Sequence, residues 1–245
     1  MNKKLAKLYE DKWPDLKVEA SKIVGVTPAH PLLIKVRGDY EKADVKVMIV
    51  GQETDGWNGD FDSSSSKSVD FLMDDYFAYF YDDFKYPYHY VGRMKKKYRR
   101  PFWNKSNFNF FSSELKSHFG GKGKKVSCIW NNVSKIGQIH RGRHTDEIEA
   151  MEESYFDVFR KEVEILRPNI IIFSSGPTRD RLIKERMGGC DFSKIHSGYT
   201  KRQLTKIIFN DFPDICGFRT YHPNYRAGRK ARNKALLGSI IKTCG

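Results

Sequence analysis

The chain has 245 residues with 39% hydrophobic content, which is enough for a full core in a single domain. Its formal net charge of +14 favours an anionic partner, and nucleic acid is the leading candidate because Lys and Arg contacts to phosphate supply affinity for any sequence. No stretch reaches the ~18 apolar residues of a membrane span, and no secretory apolar region follows the first residues, so we expect a cytoplasmic protein without a membrane partner.

The first predicted elements are an amphipathic helix at residues 3–13 and a buried strand at 44–50. The apolar run of the strand stops at Gly51. Residues 52–57, which we call the acid loop, therefore follow the carboxyl end of a strand, where open α/β sheets bind ligands. The acid loop reads Gln-Glu-Thr-Asp-Gly-Trp.

A long aromatic and basic insertion is predicted at about 60–125 within the single domain 1–245. It opens with a Ser-rich loop and continues with an aromatic, acidic stretch that is typical of partly covered helices. Residues 93–105 contain seven Lys or Arg, with aromatic residues among them, which suits contact with a nucleic acid backbone. We expect Arg99 and Arg100 to bind DNA, although a basic surface without a site is the alternative.

The carboxyl-terminal half alternates strands and helices. A strand at 126–130 runs into Asn131 and Asn132, a helix is predicted at 145–166, and a strand at 169–173 precedes a turn that begins Ser174-Ser175. The backbone amides of such a turn can hold a phosphate or a base edge. A fourth strand, near 216–221, ends at His222. We therefore predict a three-layer α/β/α sandwich around a central, mainly parallel, four-stranded sheet.

The cysteines, Cys128, Cys190, Cys216 and Cys244, show none of the close spacings typical of zinc or iron–sulfur ligation. We interpret them as core thiols, and we expect neither a metal nor a small-molecule cofactor.

A carboxylate, an amide and a histidine at the strand ends suit cleavage of a base from deoxyribose. That reaction passes through an oxocarbenium-like sugar, which needs a nearby carboxylate, a water and a donor for charge on the departing base. Glu53 or Asp55, Asn131 and His222 carry those groups. Taken one at a time, such residues are more often turn residues or helix caps.

The order of these motifs resembles the uracil-DNA glycosylase superfamily over about residues 44–232. Gly51-Gln52-Glu53 is similar to the family's Gly-Gln-Asp motif, which activates water. Trp130-Asn131 is similar to its base-reading Asn, and His222-Pro223 to its His-Pro-Ser motif.

The resemblance implies that Glu53 positions or activates water, that Asn131 reads the base edge, and that His222 stabilises the leaving base oxygen. It also implies base flipping, with an apolar wedge after the His-Pro motif entering the minor groove. Further base-binding candidates are Gln52, Trp57, Asn132 and Phe71. Further DNA-binding candidates are Asn224, Tyr225, Arg226, Arg229, Lys230, Arg232, Ser174 and Ser175.

The acid loop departs from the uracil-specific branch, where the motif continues Pro-Tyr and the Tyr excludes bases with a C5 group. Here Thr54 and Asp55 stand at those positions, so a C5 substituent could be admitted, and Asp55 could accept a hydrogen bond from an exocyclic amine or a hydroxyl. We expect a monomeric, monofunctional glycosylase for uracil or, by preference, a C5-modified pyrimidine, acting in DNA repair or in defence against modified phage DNA. The alternatives are a catalytically silent base-sensing module and a metal-dependent nuclease using Glu53, Asp55 and Asp60.

Overall fold

The computed structural model describes residues 1–62, 65–81, 89–91, 94–96, 108–121, 123–139, 144–195, 198–222 and 229–244. The strands are β1 Val45–Gly51, β2 His89–Val91, β3 Met94–Lys96, β4 Val126–Asn132, β5 Ile170–Phe173, β6 Cys190–Lys194, β7 Leu204–Phe209 and β8 Cys216–Thr220. The α-helices are α1 Asn2–Glu10, α2 Trp13–Ala20, α3 Gly38–Glu41, α4 Val69–Tyr81, α5 Phe108–Gly120, α6 Asp146–Tyr155, α7 Phe159–Leu166, α8 Asp180–Arg186 and α9 Arg229–Cys244.

The chain divides into two compact units, each assembled from three segments. Unit 1 comprises Met1–Val36, Gln52–Lys96 and Asn132–Leu166, and unit 2 comprises Arg37–Gly51, Lys97–Asn131 and Arg167–Gly245. The single domain expected for residues 1–245 stays a prediction.

The main sheet belongs to unit 2, apart from the last residue of β4, and makes this an α/β protein. It has six strands in the order β4-β1-β5-β8-β7-β6. β1, β5 and β8 are parallel, whereas β7 is antiparallel to both β8 and β6. The expectation of a four-stranded, mainly parallel sheet is therefore wrong, because it lacked β6 and β7. In both strands, exposed or half-buried residues interrupt the buried ones, and polar residues interrupt the apolar ones. A strand buried on both faces instead reads as one apolar run.

β1 and β5 form strands because most of their residues are apolar and β-branched. All four residues of β5 are buried, and they pair in register with residues 47–50 of β1 and 216–219 of β8. Gly217 in β8 is required by packing, since a Cβ atom there would lie 2.5 Å from the ring of Phe209. β1, β5 and β8 thus end at one edge of the sheet.

In unit 1, α1 packs against α4 and α7, and α2 packs against α6. Two predicted helices are divided. The first breaks after Glu10, and Pro14 lies in the first turn of α2, where a missing N–H costs nothing. The helix predicted at 145–166 breaks between α6 and α7, because Phe156 and Val158 at the break are fully buried, and Phe156 stacks on Tyr9.

The insertion predicted at 60–125 contains α4, the small antiparallel sheet of β2 and β3, and α5. Of the helices in the described ranges, none combines the length and the apolar content needed to cross a membrane.

Candidate functional site

The acid loop in unit 1 is held by residues 134–139, which we call the bracing segment. The amide of Ser134 donates to the carbonyl of Gln52 at 2.9 Å, and the amide of Gly56 donates to the carbonyl of Gln138 at 3.2 Å. Asp55 also forms a parallel β-bridge with Gln138. Backbone pairing of this kind fixes the path of the acid loop independently of its side chains.

Glycine at position 137 allows this close approach. A Cβ atom there would lie 1.8 Å from the carbonyl oxygen of Thr54 and 2.6 Å from its hydroxyl. On its other side the bracing segment pairs with residues 27–32, because the carbonyls of Gly137 and Lys135 accept from Ala29 and Leu32, each at 2.9 Å. The bracing segment therefore lies between the acid loop and residues 27–32.

A buried charge network anchors the bracing segment. Lys135 and Glu162 are both fully buried, and their charged groups are 2.8 Å apart. Tyr9 donates its hydroxyl to Glu162 at 2.5 Å, while Glu152 accepts from the amides of Lys135 and Ile136 at 2.8 and 3.0 Å. Burial lowers the pKa of Lys135 and Glu162 opposes that shift, so the carboxylate favours the charged amine.

The far end of the acid loop is fixed to α4. The indole of Trp57 packs edge-on against Tyr79, with ring centroids 5.1 Å apart. The next residue, Asn58, has a positive φ of 58°, which Asn tolerates better than most residues, and its amide donates to Asp75 at 2.8 Å. Lys67 donates to the carbonyl of Asn58. These contacts orient Trp57 both directly and through its neighbour Asn58.

His30 holds the chain just after the acid loop. Its Nδ1 is 3.0 Å from the carbonyl of Gly59, and its Nε2 is 2.6 Å from the hydroxyl of Ser65. Burial lowers the pKa of His30 to about 4, so the ring is neutral at pH 7. A neutral ring that donates from Nδ1 to the carbonyl and accepts from Ser65 satisfies both contacts.

The predicted site residues of unit 1 differ in exposure. Gln52 and Glu53 are half-buried, and Asp55 is exposed. Trp57 is half-buried, and Phe71 is 48% exposed with Lys67 over its ring. Asn132 is buried. Within the part of the chain that the structure describes, the buried hydroxyl of Thr54 and the indole N–H of Trp57 have no hydrogen-bond partner.

At the sheet edge of unit 2, the turn after β5 is tied to the neighbouring strands. Ser174 is fully buried, and its amide and hydroxyl both donate to the carbonyl of Val50, at 2.7 and 2.9 Å. Ser175 is also fully buried. Gly176 adopts a φ of 75° and donates its amide to the carbonyl of Thr220 at 3.0 Å. The turn thus links the ends of β1, β5 and β8.

Asn131 and His222 also belong to unit 2. Asn131 is fully buried near the end of β4, with its amide nitrogen 3.7 Å from the sulfur of Met48. His222 lies two residues after β8 and is half-buried, and burial lowers its pKa. The neutral imidazole is therefore favoured at pH 7.

The DNA-binding candidates are only partly described. Arg232 is half-buried on α9, and Arg229 and Lys230 form the first two residues of that helix. The remaining candidates, Asn224, Tyr225, Arg226, Arg99 and Arg100, lie outside the described residues.

The buried charges were not predicted from the sequence. Glu162 stands on the apolar face of α7, three residues after Phe159 and four before Leu166, and a carboxylate in that position signals a buried partner. Arg219 in β8 was not predicted either; it is buried and makes a bidentate ion pair with Asp180 at 2.8 and 3.0 Å. Lys135 carries no comparable signal, because its partners come from distant helices.

Over the described ranges, no group of three or more His, Cys, Asp or Glu side chains lies close enough together to hold a metal ion. No protein-family model matches the chain, and the curated proteins contain no match to it.

Proposed function

We propose that this protein is a monofunctional DNA glycosylase that flips a base and hydrolyses its N-glycosidic bond, leaving an abasic site. The observation that carries the proposal is the order of polar groups on the strand ends. The acid loop follows β1, Asn131 lies near the end of β4, the Ser174 turn follows β5, and His222 follows β8. That order is the one on which the resemblance to the uracil-DNA glycosylase superfamily rests.

The proposed fold is the three-layer α/β/α sandwich of that superfamily, extended here by β6 and β7. The parallel arrangement of β1, β5 and β8 supports it, because such sheets bind ligands at the carboxyl ends of their strands. The proposed partner is DNA, bound by a monomer in the cytoplasm, and the charge of +14 supports an anionic partner.

In the proposed reaction, water attacks C1′ of the deoxyribose as the bond to the base nitrogen breaks. Glu53 takes the proton of the water and stabilises the positive charge on the sugar. His222 donates a hydrogen bond to the oxygen of the departing base, and a neutral imidazole can do this through its remaining N–H. The lowered pKa of His222 supports that role. Asn131 reads the base edge.

The residues of the acid loop support the proposal that the substrate base carries a C5 substituent. Thr54 is buried against Gly137, and Asp55 stands where the uracil-specific branch has its excluding Tyr, so the bulky ring of that Tyr is replaced by a smaller side chain. Asp55 is exposed, and its carboxylate can accept a hydrogen bond from an exocyclic amine or a hydroxylated C5 group. We therefore propose a C5-modified pyrimidine as the preferred base, with uracil as the second substrate, in repair or in defence against modified phage DNA.

The direct test uses end-labelled duplexes that carry uracil, 5-methylcytosine or 5-hydroxymethylcytosine, incubated with EDTA and then treated with alkali. We expect strand breaks only after alkali. Direct breaks that disappear with EDTA would instead identify a metal-dependent nuclease. Binding without any product from these bases would favour a silent base-sensing module.

Two variants test the assigned roles. We expect Glu53→Gln and His222→Ala each to lower single-turnover base release by about 100-fold or more while duplex binding changes little. Glu10→Gln, at an exposed position of α1, and His118→Ala, at a half-buried position of α5, are the matched controls and should release base at the wild-type rate. Equal loss of binding and release in the two test variants would contradict the roles given to these residues.

A further inference from the structure

Two half-buried cysteines meet in unit 2. Cys216 is the first residue of β8 and Cys244 is the last residue of α9, and their sulfur atoms are 2.6 Å apart. Non-bonded carbon atoms attract best at about 3.5–4.0 Å, and sulfur is larger than carbon, so these sulfurs are in closer contact than packing alone produces. The interpretation of the four cysteines as core thiols did not include this contact, which joins residues 28 positions apart in the sequence.

We propose that Cys216 and Cys244 form a redox-active dithiol that closes reversibly to an intrachain disulfide. Both residues are free thiols in this structure and both reach the surface in part, so a small oxidant can reach them. The bond would join the beginning of β8 to the end of α9. The closed ring would contain His222 and the basic residues of α9.

The chemical surroundings separate this pair from the other cysteines. Burial raises the pKa of Cys128 and of Cys190 to about 11, so both remain unreactive thiols. The hydrogen bond from Cys244 lowers the pKa of Cys216 and raises that of Cys244. The positive charge of Lys206 also favours the Cys216 thiolate. Cys216 is therefore the attacking sulfur and Cys244 its partner.

The oxidant is a low-molecular-weight disulfide such as oxidised glutathione. The Cys216 thiolate attacks one sulfur of that disulfide, a mixed disulfide forms, and one small thiolate leaves. Cys244 then loses its proton and attacks the sulfur of Cys216, which expels the second small thiol. The protein loses two electrons and two protons in total, and the small disulfide is reduced to two thiols.

The experiment is thiol mapping of the full chain. Protein reduced with dithiothreitol and protein treated with oxidised glutathione are each denatured, alkylated and weighed, and then digested with trypsin. We expect four alkyl groups on the reduced chain and two on the oxidised chain, since the sequence has four cysteines. The tryptic peptide of residues 207–219 should be joined to residues 243–245, and dithiothreitol should separate them.

Variants and thermal unfolding give independent readouts. Cys216→Ser and Cys244→Ser should each abolish the linked peptide, whereas Cys190→Ser, the matched control, should keep it. Oxidation of the wild type should raise its melting temperature by about 5–10 °C, because the cross-link restricts the unfolded chain, and neither cysteine variant should show this rise. Four alkyl groups after oxidation, a glutathione adduct on one cysteine only, or a bond solely between two chains would each overturn the proposal. None of these readouts depends on base release.

Discussion

The acid loop in unit 1 depends on buried charge, whereas the turn at Ser174 in unit 2 depends on neutral hydrogen bonds. The bracing segment that pairs with the acid loop is anchored by Lys135 and Glu162, both without any exposed surface. The turn is tied to Val50 and Thr220 by amide and hydroxyl donors. A charge taken out of water is costly unless its partner stays in place, while a neutral hydrogen bond adds only a modest net amount. Substitutions in the two regions should therefore differ greatly in cost.

The largest effect is expected at the buried ion pair. Lys135→Met leaves the Glu162 carboxylate buried without its cation, and we expect the free energy of unfolding to fall by about 3–5 kcal/mol. The matched control is Lys161→Met, which removes an ion pair of nearly the same length, 2.7 Å to Glu164, but with the lysine 60% exposed. That variant should cost less than about 1 kcal/mol. Urea unfolding of both variants measures the difference.

A second variant distinguishes unpaired charge from lost packing. Adding Glu162→Gln to Lys135→Met removes the remaining charge but keeps an acceptor for the hydroxyl of Tyr9, so part of the lost stability should return. If Lys135→Met costs no more than Lys161→Met, buried charge does not anchor the bracing segment.

The next largest effect is expected where the acid loop meets the bracing segment. Gly137→Ala places a methyl group on the carbonyl of Thr54, so the acid loop must move, and we expect a loss of about 1–3 kcal/mol in urea unfolding. Base release should fall more than duplex binding, because Glu53 moves with the loop. Gly238→Ala on α9 is the control, since no atom apart from its chain neighbours and the backbone of its own helix lies within 4 Å of the added methyl, and it should raise stability by up to about 1 kcal/mol. Similar stability changes in both variants would show that the close contact at Gly137 is unimportant.

The apolar pattern of each strand decided which parts of the sheet the sequence could predict. β1, β4, β5 and β8 were expected near their observed positions, because largely apolar runs signal buried strands. The acid loop and His222 could be placed after strands for the same reason. β6 and β7 were missed because polar residues interrupt them, which is typical of strands with one exposed face.

The hydrogen bonds that hold the site in place were harder to predict than the position of the site in the fold. The bond between Tyr9 and Glu162 spans 153 positions, and that between the Lys135 amide and Glu152 spans 17. Local patterns carry no information about such partners. The contact of Cys216 with Cys244 was missed for the same reason, since it requires the end of α9 to return to the beginning of β8.

The smallest effect is expected at the Ser174 turn. Ser174→Ala removes one hydroxyl donor, but the carbonyl of Val50 still accepts from the amide of residue 174, so no buried acceptor is left unsatisfied. We expect a loss of about 0.5–1.5 kcal/mol in urea unfolding. Ser239→Ala on α9, which removes a hydroxyl bonded to its own helix at 3.3 Å, should change stability by less than about 0.5 kcal/mol. A loss at Ser174 as large as that at Lys135 would contradict the distinction between the regions, because a neutral hydrogen bond would then equal a buried charge.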